Sequence, residues 1–373
     1  MKVVIAPDSF KECMSAKEAG FAIAEGFHSV DPSIECYLIP IADGGEGTLD
    51  CLIDVHQGQK ELIEVYDPLL RKIQAPIGIM QHFAVIESAK CCGLELLKEE
   101  EKNPFLTSTY GLGQMIKLAM DKGIKQFLIT LGGSSTNDGG IGMLQALGAH
   151  FYDKDMLEVS PNGEGLTKIE SIDLNGIDPR IKDVKIVCGC DVNNPLCSTN
   201  GATYVYGKQK GLLEKDMERL DQAMYHYGKL VEKSLSKSLM EDAGAGAAGG
   251  LGFAFKILGA SLQKGFNIVA KLNGLEQYIQ SCDLVIVGEG RMDKQTGYGK
   301  TPYGVMQIAK KYNKPVYGFA GSLSDIDDLR KLGFDGVQCI TPKNTILEVA
   351  LLEGYENLRK KATEFMTFYL MTL

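Results

Sequence analysis

The 373-residue chain has no apolar run approaching the roughly 20 residues that a membrane-spanning helix needs, which excludes a helical membrane protein. It has no stretch dense in Lys or Arg and a formal net charge of −9, so an extended surface for a nucleic-acid backbone is excluded as well. None of its five histidines falls in the polar clusters described below, which removes a Ser-His-Asp triad and leaves proton transfer to a carboxylate. Ten cysteines, among them the adjacent Cys91 and Cys92, show no disulfide framework. Cys188, Cys190 and Cys197 lack a fourth zinc ligand at workable spacing, because the nearest histidine, His150, is far upstream. The segment Met1-Lys2-Val3-Val4-Ile5 carries no signal-peptide pattern, and reduced thiols in the cytoplasm are expected.

What is present is ordinary for a globular enzyme: 45% apolar and 23% charged residues, with 43 glycines of the kind that loop-rich α/β proteins accumulate. The length allows two domains. Lys2–Ala6 is a short apolar strand followed by Pro7, Asp8, Ser9 and Lys11; Ser15 and Glu18 then form a capping box for a helix reaching about His28. Glu35–Pro40 is a second strand, ending in Asp43, Gly44, Gly45 and Glu46, with a helix from Leu49 to Val55 behind it. From Gln59 the pattern alternates, and Glu61–Val65, Lys72–Met80 and Phe83–Glu87 predict an antiparallel meander. A helix over Gly111–Lys122 leads to the buried strand Gln126–Leu131, then Ser134, Ser135 and Asp138, then a helix over Ile141–Leu147.

Residues 150–180 look like a polar loop, Val184–Cys188 is a strand ending in Asp191 and Asn193, and residues 211–240 predict a charged, solvated connecting helix. The small-residue run Ala243–Gly252, with Gly246 and Gly249, suits either close helix packing or contact with a phosphate. Asp283–Val287 predicts a strand buried on both sides that stops at the glycine loop carrying Glu289, Arg291, Asp293, Lys294, Gly297, Gly299 and Lys300. Thr301-Pro302 reads as an N-cap followed by proline at the first helical position, and free N–H groups there would attract an anion. Gly299-Lys300-Thr301 matches the end of a Walker A loop, but Lys294 stands where that pattern needs glycine. Lys314–Phe319 and Gly336–Ile340 are further strands, and no internal repeat is visible.

These periods predict an α/β protein of two domains. Residues 1–65 and 280–373 would build one parallel sheet, and residues 66–279 an inserted second α/β domain with a mixed sheet, with ligands bound in a cleft between them. Dehydrogenase chemistry is excluded: the turn after the first strand is Ala6-Pro7-Asp8-Ser9, and Gly288-Glu289-Gly290 is followed by Asp293 instead of glycine. Acidic oxygens with Lys11, Arg291 and Lys300 suit phosphoryl transfer with Mg²⁺. Asp8, Asp43, Asp191 and Asp293 are the candidate bases, with Asp43 preferred and Asp191 taken as facing the metal. Two alternatives stand beside these roles: Asp43 capping the helix after it, and Arg291 forming a surface ion pair with Glu289 or Asp293.

Six blocks carry a resemblance. Ala6–Lys11, Ile41–Thr48, Ser135–Gly140, Asp191–Cys197, Gly244–Gly252 and Gly288–Asp293 resemble, in order and over nearly the whole chain, the signature blocks of the class I glycerate kinases. The family's first block usually continues with glycine where this chain has Glu12 and Cys13. The resemblance implies that the parallel sheet of residues 1–65 and 280–373 is flavodoxin-like (Rossmann-type), and it implies phosphorylation of D-glycerate by ATP, at either its 2- or 3-hydroxyl. The site expected from the chemistry and the resemblance together has Asp43, Lys11, Arg291 and Asp8 as catalytic residues. Ser9, Gly44, Gly45, Glu46 and Glu289 would bind substrate; Ser134, Ser135, Asp138, Gly246, Gly249 and Lys300 would bind ATP; Asp191 and Asp293 would hold Mg²⁺. Small-molecule substrates and a possible homo-oligomer are the expected partners. A non-catalytic metabolite-binding regulator using the same cleft is the alternative.

Overall fold

Val3, Val4, Ile5 and Ala6 are completely buried, as a strand with no polar face must be. They form β1 (Lys2–Pro7), an interior strand of a five-stranded parallel sheet. The computed structural model describes residues 1–298 and 300–372, so the expectation placed on Gly299 lies outside the described residues. In chain order the remaining strands are β2 (Glu35–Leu38), β3 (Gln59–Tyr66), β4 (Lys72–Ile79), β5 (Ala84–Glu87), β6 (Gln126–Thr130), β7 (His150–Tyr152), β8 (Ser171–Asp173), β9 (Lys185–Gly189), β10 (Ser261–Gln263), β11 (Leu284–Met292), β12 (Val316–Leu323) and β13 (Gly336–Cys339). The chain divides into two compact units, one of Met1–Asp43, Asp50–Val55 and the chain from Phe266 onward, the other of Gly44–Leu49 and His56–Gly265.

The first unit holds the parallel sheet in the order β2-β1-β11-β12-β13. Counted within that unit this is the flavodoxin-like order, in which the chain reverses its direction of travel between β1 and β11; ligands bind at the carboxyl ends of the strands flanking that point. The helix Ala16–His28 carries the expected capping box, with Ser15 Oγ accepting from the Glu18 N–H at 3.2 Å and Glu18 Oε2 accepting from the Ser15 N–H at 2.8 Å. β11 runs further than expected. It does not stop at Val287 but pairs with β12 as far as Met292↔Leu323, so Glu289 and Arg291 stand on the strand itself and a 3₁₀ turn, Lys294–Tyr298, follows it. Glycine weakens an isolated strand, but Gly288 leaves the room that the buried Phe10 ring fills, 3.1 Å from where a Cβ would sit.

Glu12 adopts φ +62 in the tight Phe10–Met14 turn, the left-handed region where a side chain costs roughly 1–2 kcal/mol. Glu12→Gly should therefore raise unfolding free energy by about 0.5–1 kcal/mol, since glycine's greater freedom when unfolded offsets part of the relief. Chemical denaturation measures this, and an unchanged or lowered midpoint would show that the turn is not strained.

The second unit contains a six-stranded mixed sheet, β10-β9-β6-β5-β4-β3, in which β3, β4 and β5 form the expected antiparallel meander and β5, β6, β9 and β10 run parallel. Two expectations are corrected here. The supposed loop 150–180 contains the antiparallel pair β7–β8 and a short helix, Gly163–Leu166, each too brief to leave a periodic signal. The supposed solvated helix is Met217–Leu235, and Leu220, Met224, Tyr227 and Val231, at helical spacing, bury its stripe in the unit's core, where Tyr227 meets Phe151 and Phe253 edge-on. Among the described residues no helix is long and apolar enough to cross a membrane.

Candidate active site

At the carboxyl ends of β1 and β11, within the first unit, lies a cavity of about 530 Å³. Its charged half brings together Asp8, Lys11, Asp43, Glu289, Arg291 and Lys300, and Ser9 and Thr301 also line it. Seven of the residues expected to act thus share one cavity.

Asp8 follows directly from β1. Its N–H donates to the Gly288 carbonyl at 2.8 Å, continuing the β1–β11 pairing by one bond. Its Oδ2 accepts from Thr301 Oγ1 at 2.6 Å and its Oδ1 from the Ser9 N–H at 2.7 Å. Burial pushes its pKa up to about 6, against the opposing pull of the Thr301 hydrogen bond and with the help of the nearby Asp43 charge. Thr301 is therefore not the cap expected of it: its hydroxyl is committed to Asp8, Lys300 is the N-cap, and the helix begins at Thr301.

Glu289 is 9% exposed. Its Oε1 accepts from Thr296 Oγ1 at 3.1 Å and lies 3.6 Å from Lys300 Nζ. Burial raises its pKa to about 7, because Lys300 and Thr296 offset only part of the desolvation and Asp8 adds repulsion. Arg291 lines the cavity with a largely exposed side chain, yet its Nε donates to Asp293 Oδ2 at 2.9 Å. The ion-pair alternative for Arg291 and its cavity position thus coexist: one edge is tied to Asp293, and the terminal nitrogens are what it can offer a ligand.

Asp293 is buried beneath Arg291, outside the cavity lining, and its second oxygen accepts the Gln295 N–H at 2.8 Å. A metal there would have to displace bonds the turn depends on, so the donor set does not fit Mg²⁺. The helix behind Asp43 spans Thr48–His56, and the Leu49 N–H at its start goes to Glu87 Oε1.

The other expected residues lie in the second unit. Gly44 has φ +87 and approaches the Gly265 backbone, Gly45 is in the same turn, and Glu46 Oε1 is 3.6 Å from Lys90 Nζ. Asp191, at the end of β9, accepts the Gly265 N–H through Oδ1 at 3.2 Å. Asp138 is fully buried and accepts from the Thr109 N–H and hydroxyl and from the Gly140 N–H. Ser135 Oγ donates to the Cys92 carbonyl, and Ser134 Oγ accepts from Lys210. A Cβ on Gly249, whose φ is +71, would sit 1.9 Å from the Thr136 carbonyl, and one on Gly246 would sit 2.2 Å from the Pro195 carbonyl. These five residues, expected to contact ATP, are thus engaged by their own unit, and the small-residue run serves close backbone packing.

Sequence reasoning missed Thr296 and Lys210 and gave Thr301 the role of a helix cap. The threonines matter because each holds a cavity carboxylate. Lys210, 2% exposed, donates to Ser134 Oγ at 2.9 Å and to the Thr136 carbonyl at 2.7 Å, and burial lowers its pKa to about 7. Nothing local distinguishes Lys210 from Lys208 two residues earlier.

A family model described as the glycerate kinase family matches residues 3–370. A glycerate kinase of Bacillus subtilis (strain 168) is 43% identical over 98% of this chain and 96% of its own. A glycerate 2-kinase of Escherichia coli (strain K12) is also 43% identical, over 96% of this chain and 95% of its own. The crystal structure of a proposed glycerate kinase 2 from Salmonella typhimurium LT2 superposes with a TM-score of 0.92 at 40% identity, covering 100% of this chain and 99% of that one.

Proposed function

The chain belongs to the glycerate kinase family, and from that premise we propose that it transfers the γ-phosphoryl group of ATP to the 2-hydroxyl of D-glycerate, giving 2-phosphoglycerate, with Mg²⁺. The observation that carries the site assignment is the Asp8 carboxylate, held at the β1–β11 switch point by Thr301 and Ser9 and facing a cavity that also presents Lys11, Arg291 and Lys300. A carboxylate with a pKa near 6 is mostly ionised at neutral pH and still basic enough to receive a proton. On this proposal Asp8, rather than the Asp43 preferred from sequence, takes the hydroxyl proton late in a loose transition state. Arg291, steadied by Asp293, receives the glycerate carboxylate on its terminal nitrogens, and Lys11 and Lys300 meet the phosphoryl oxygens.

Mg²⁺ takes one or two carboxylates with phosphate oxygens and water, and in the cavity Asp43 and Glu289 are the carboxylates that would hold it. The donor set fits, because a cation beside Glu289 would offset the desolvation that raises its pKa. Held there, the ion would supply charge neutralisation to the donor's phosphates. The cytoplasm as location, and the two units as two domains, belong to the same proposal. The E. coli relative's description as a glycerate 2-kinase supports the choice of hydroxyl.

Purified protein should release ADP only when D-glycerate and Mg²⁺ are both present, and its product should be consumed by enolase without added mutase. A product that enolase takes only after mutase is added would move the reaction to the 3-hydroxyl. Binding of both substrates without turnover would favour the regulatory alternative.

A further inference from the structure

The cavity is far larger than the substrate requires. D-glycerate has seven non-hydrogen atoms and displaces on the order of four waters, roughly 120 Å³ at ~30 Å³ each, against a cavity of about 530 Å³. The cavity is also divided by chemistry. Besides the charged residues, its wall includes Cys13 and the apolar side chains Ile340, Leu347, Ala350 and Leu351 of the segment after β13, with Thr341 and Thr345 as polar handles there. That wall is held in place: Cys13 Sγ donates to the Leu351 carbonyl at 3.2 Å, and the Ile340 N–H donates to the Ala320 carbonyl at 2.8 Å, continuing the sheet. Leu347 stays 72% exposed at the end of this wall, and the adjacent Ile346 is 66% exposed. An apolar surface beside a cluster of cations has no use for a small, hydroxylated acid, but it matches a molecule with a flat, weakly polar ring at one end and phosphates at the other.

We propose that the wall formed by Ile340, Leu347, Ala350 and Leu351 is the nucleobase subsite, receiving the adenine ring of the donor while its phosphates reach Lys11 and Lys300 in the charged half. This deepens the kinase assignment and rests on it, placing the donor's recognition in the parallel-sheet unit instead of on the Ser134–Asp138 loop. The ring stacks on Leu347 and Leu351, covering apolar surface that is otherwise exposed at the mouth. Ala350 matters through its size, since a larger side chain there would occupy the space of the ring.

The test compares ADP with inorganic tripolyphosphate, which carries the phosphates and lacks the base. By calorimetry, Ala350→Trp should weaken ADP by about 10–100-fold and leave tripolyphosphate within about twofold, because only the apolar contact is lost. Leu347→Ser, at an exposed position where folding is not at stake, should weaken ADP by about 3–10-fold with the same selectivity. Independently of any substitution, hydrogen exchange at residues 345–354 of the parent should slow with ADP and not with tripolyphosphate. Unchanged ADP affinity in Leu347→Ser, equal losses for both ligands, or equal protection by both would each overturn the subsite. A parent that phosphorylates glycerate while both variants keep full ADP affinity would sink this subsite alone; a parent that binds neither ADP nor glycerate would sink the kinase assignment with it.

Discussion

Replacing Asp8 with Asn should lower kcat by about 10²–10⁴-fold with little change in KM for glycerate, the range that a positioned general base contributes. Asparagine keeps the shape and can still accept from Thr301 Oγ1, now 2.6 Å from Oδ2, so the helix start and the β1–β11 junction should survive. What it cannot do is take a proton. The parent's kcat/KM should rise with pH through about 6, as Asp8 ionises, and then level off; the variant should lose that limb. Asp43→Asn, which removes a carboxylate proposed to hold Mg²⁺, should also lose turnover but keep the pH limb near 6. An Asp8→Asn enzyme within about threefold of the parent, beside a crippled Asp43→Asn, would return the base to Asp43.

The second large effect is on stability. Glu289→Gln should raise the unfolding free energy at pH 8 by on the order of 2–3 kcal/mol while cutting turnover by tenfold or more. The sign follows from linkage. The folded-state pKa is about 7 against an unfolded value near 4.5, so between those pH values the folded protein holds the proton more tightly than the unfolded chain. Stability from this group is therefore undiminished below pH 4.5, falls as pH rises toward 7, and stays reduced above it. Glutamine keeps an oxygen for Thr296 Oγ1 and removes the titration, so the gap between variant and parent should open across that window. Denaturant titrations at several pH values read this directly; a gap that is constant from pH 4.5 to 8.5, or that closes, would mean Glu289 carries no such penalty.

Much of the scaffold was legible because its signals are local. The Ser15–Glu18 capping box, the apolar β1 and the meander β3–β5 follow from spacing of a few residues, and the flavodoxin-like assignment from the family's ordered motif blocks. Where expectation and structure part, a distant neighbour decides. β11 extends past its glycines because β12 supplies hydrogen bonds to Met292, and the helix Met217–Leu235 is buried because the unit's core receives its stripe. The strand-end residues were also found, with Asp43 preferred as base and Asp191 as metal-facing on local grounds alone. Asp8, Asp43, Asp138, Asp191 and Asp293 look alike in sequence, and structure gives them different surroundings: Asp138 is enclosed by N–H donors, Asp293 is spent on Arg291, and Asp8 faces a cavity.

The sequence by itself therefore determined the fold class, the two kinds of sheet and the family, since periodicity, caps and ordered motif blocks are written along the chain. Only the tertiary structure decided which carboxylates share a cavity and which of them hold their protons unusually tightly. Desolvation and Coulomb interaction act through space whatever the sequence separation, so Thr301 can fix Asp8 from 293 residues away and Lys210 can hold Ser134 from 76, pairings that no local pattern announces.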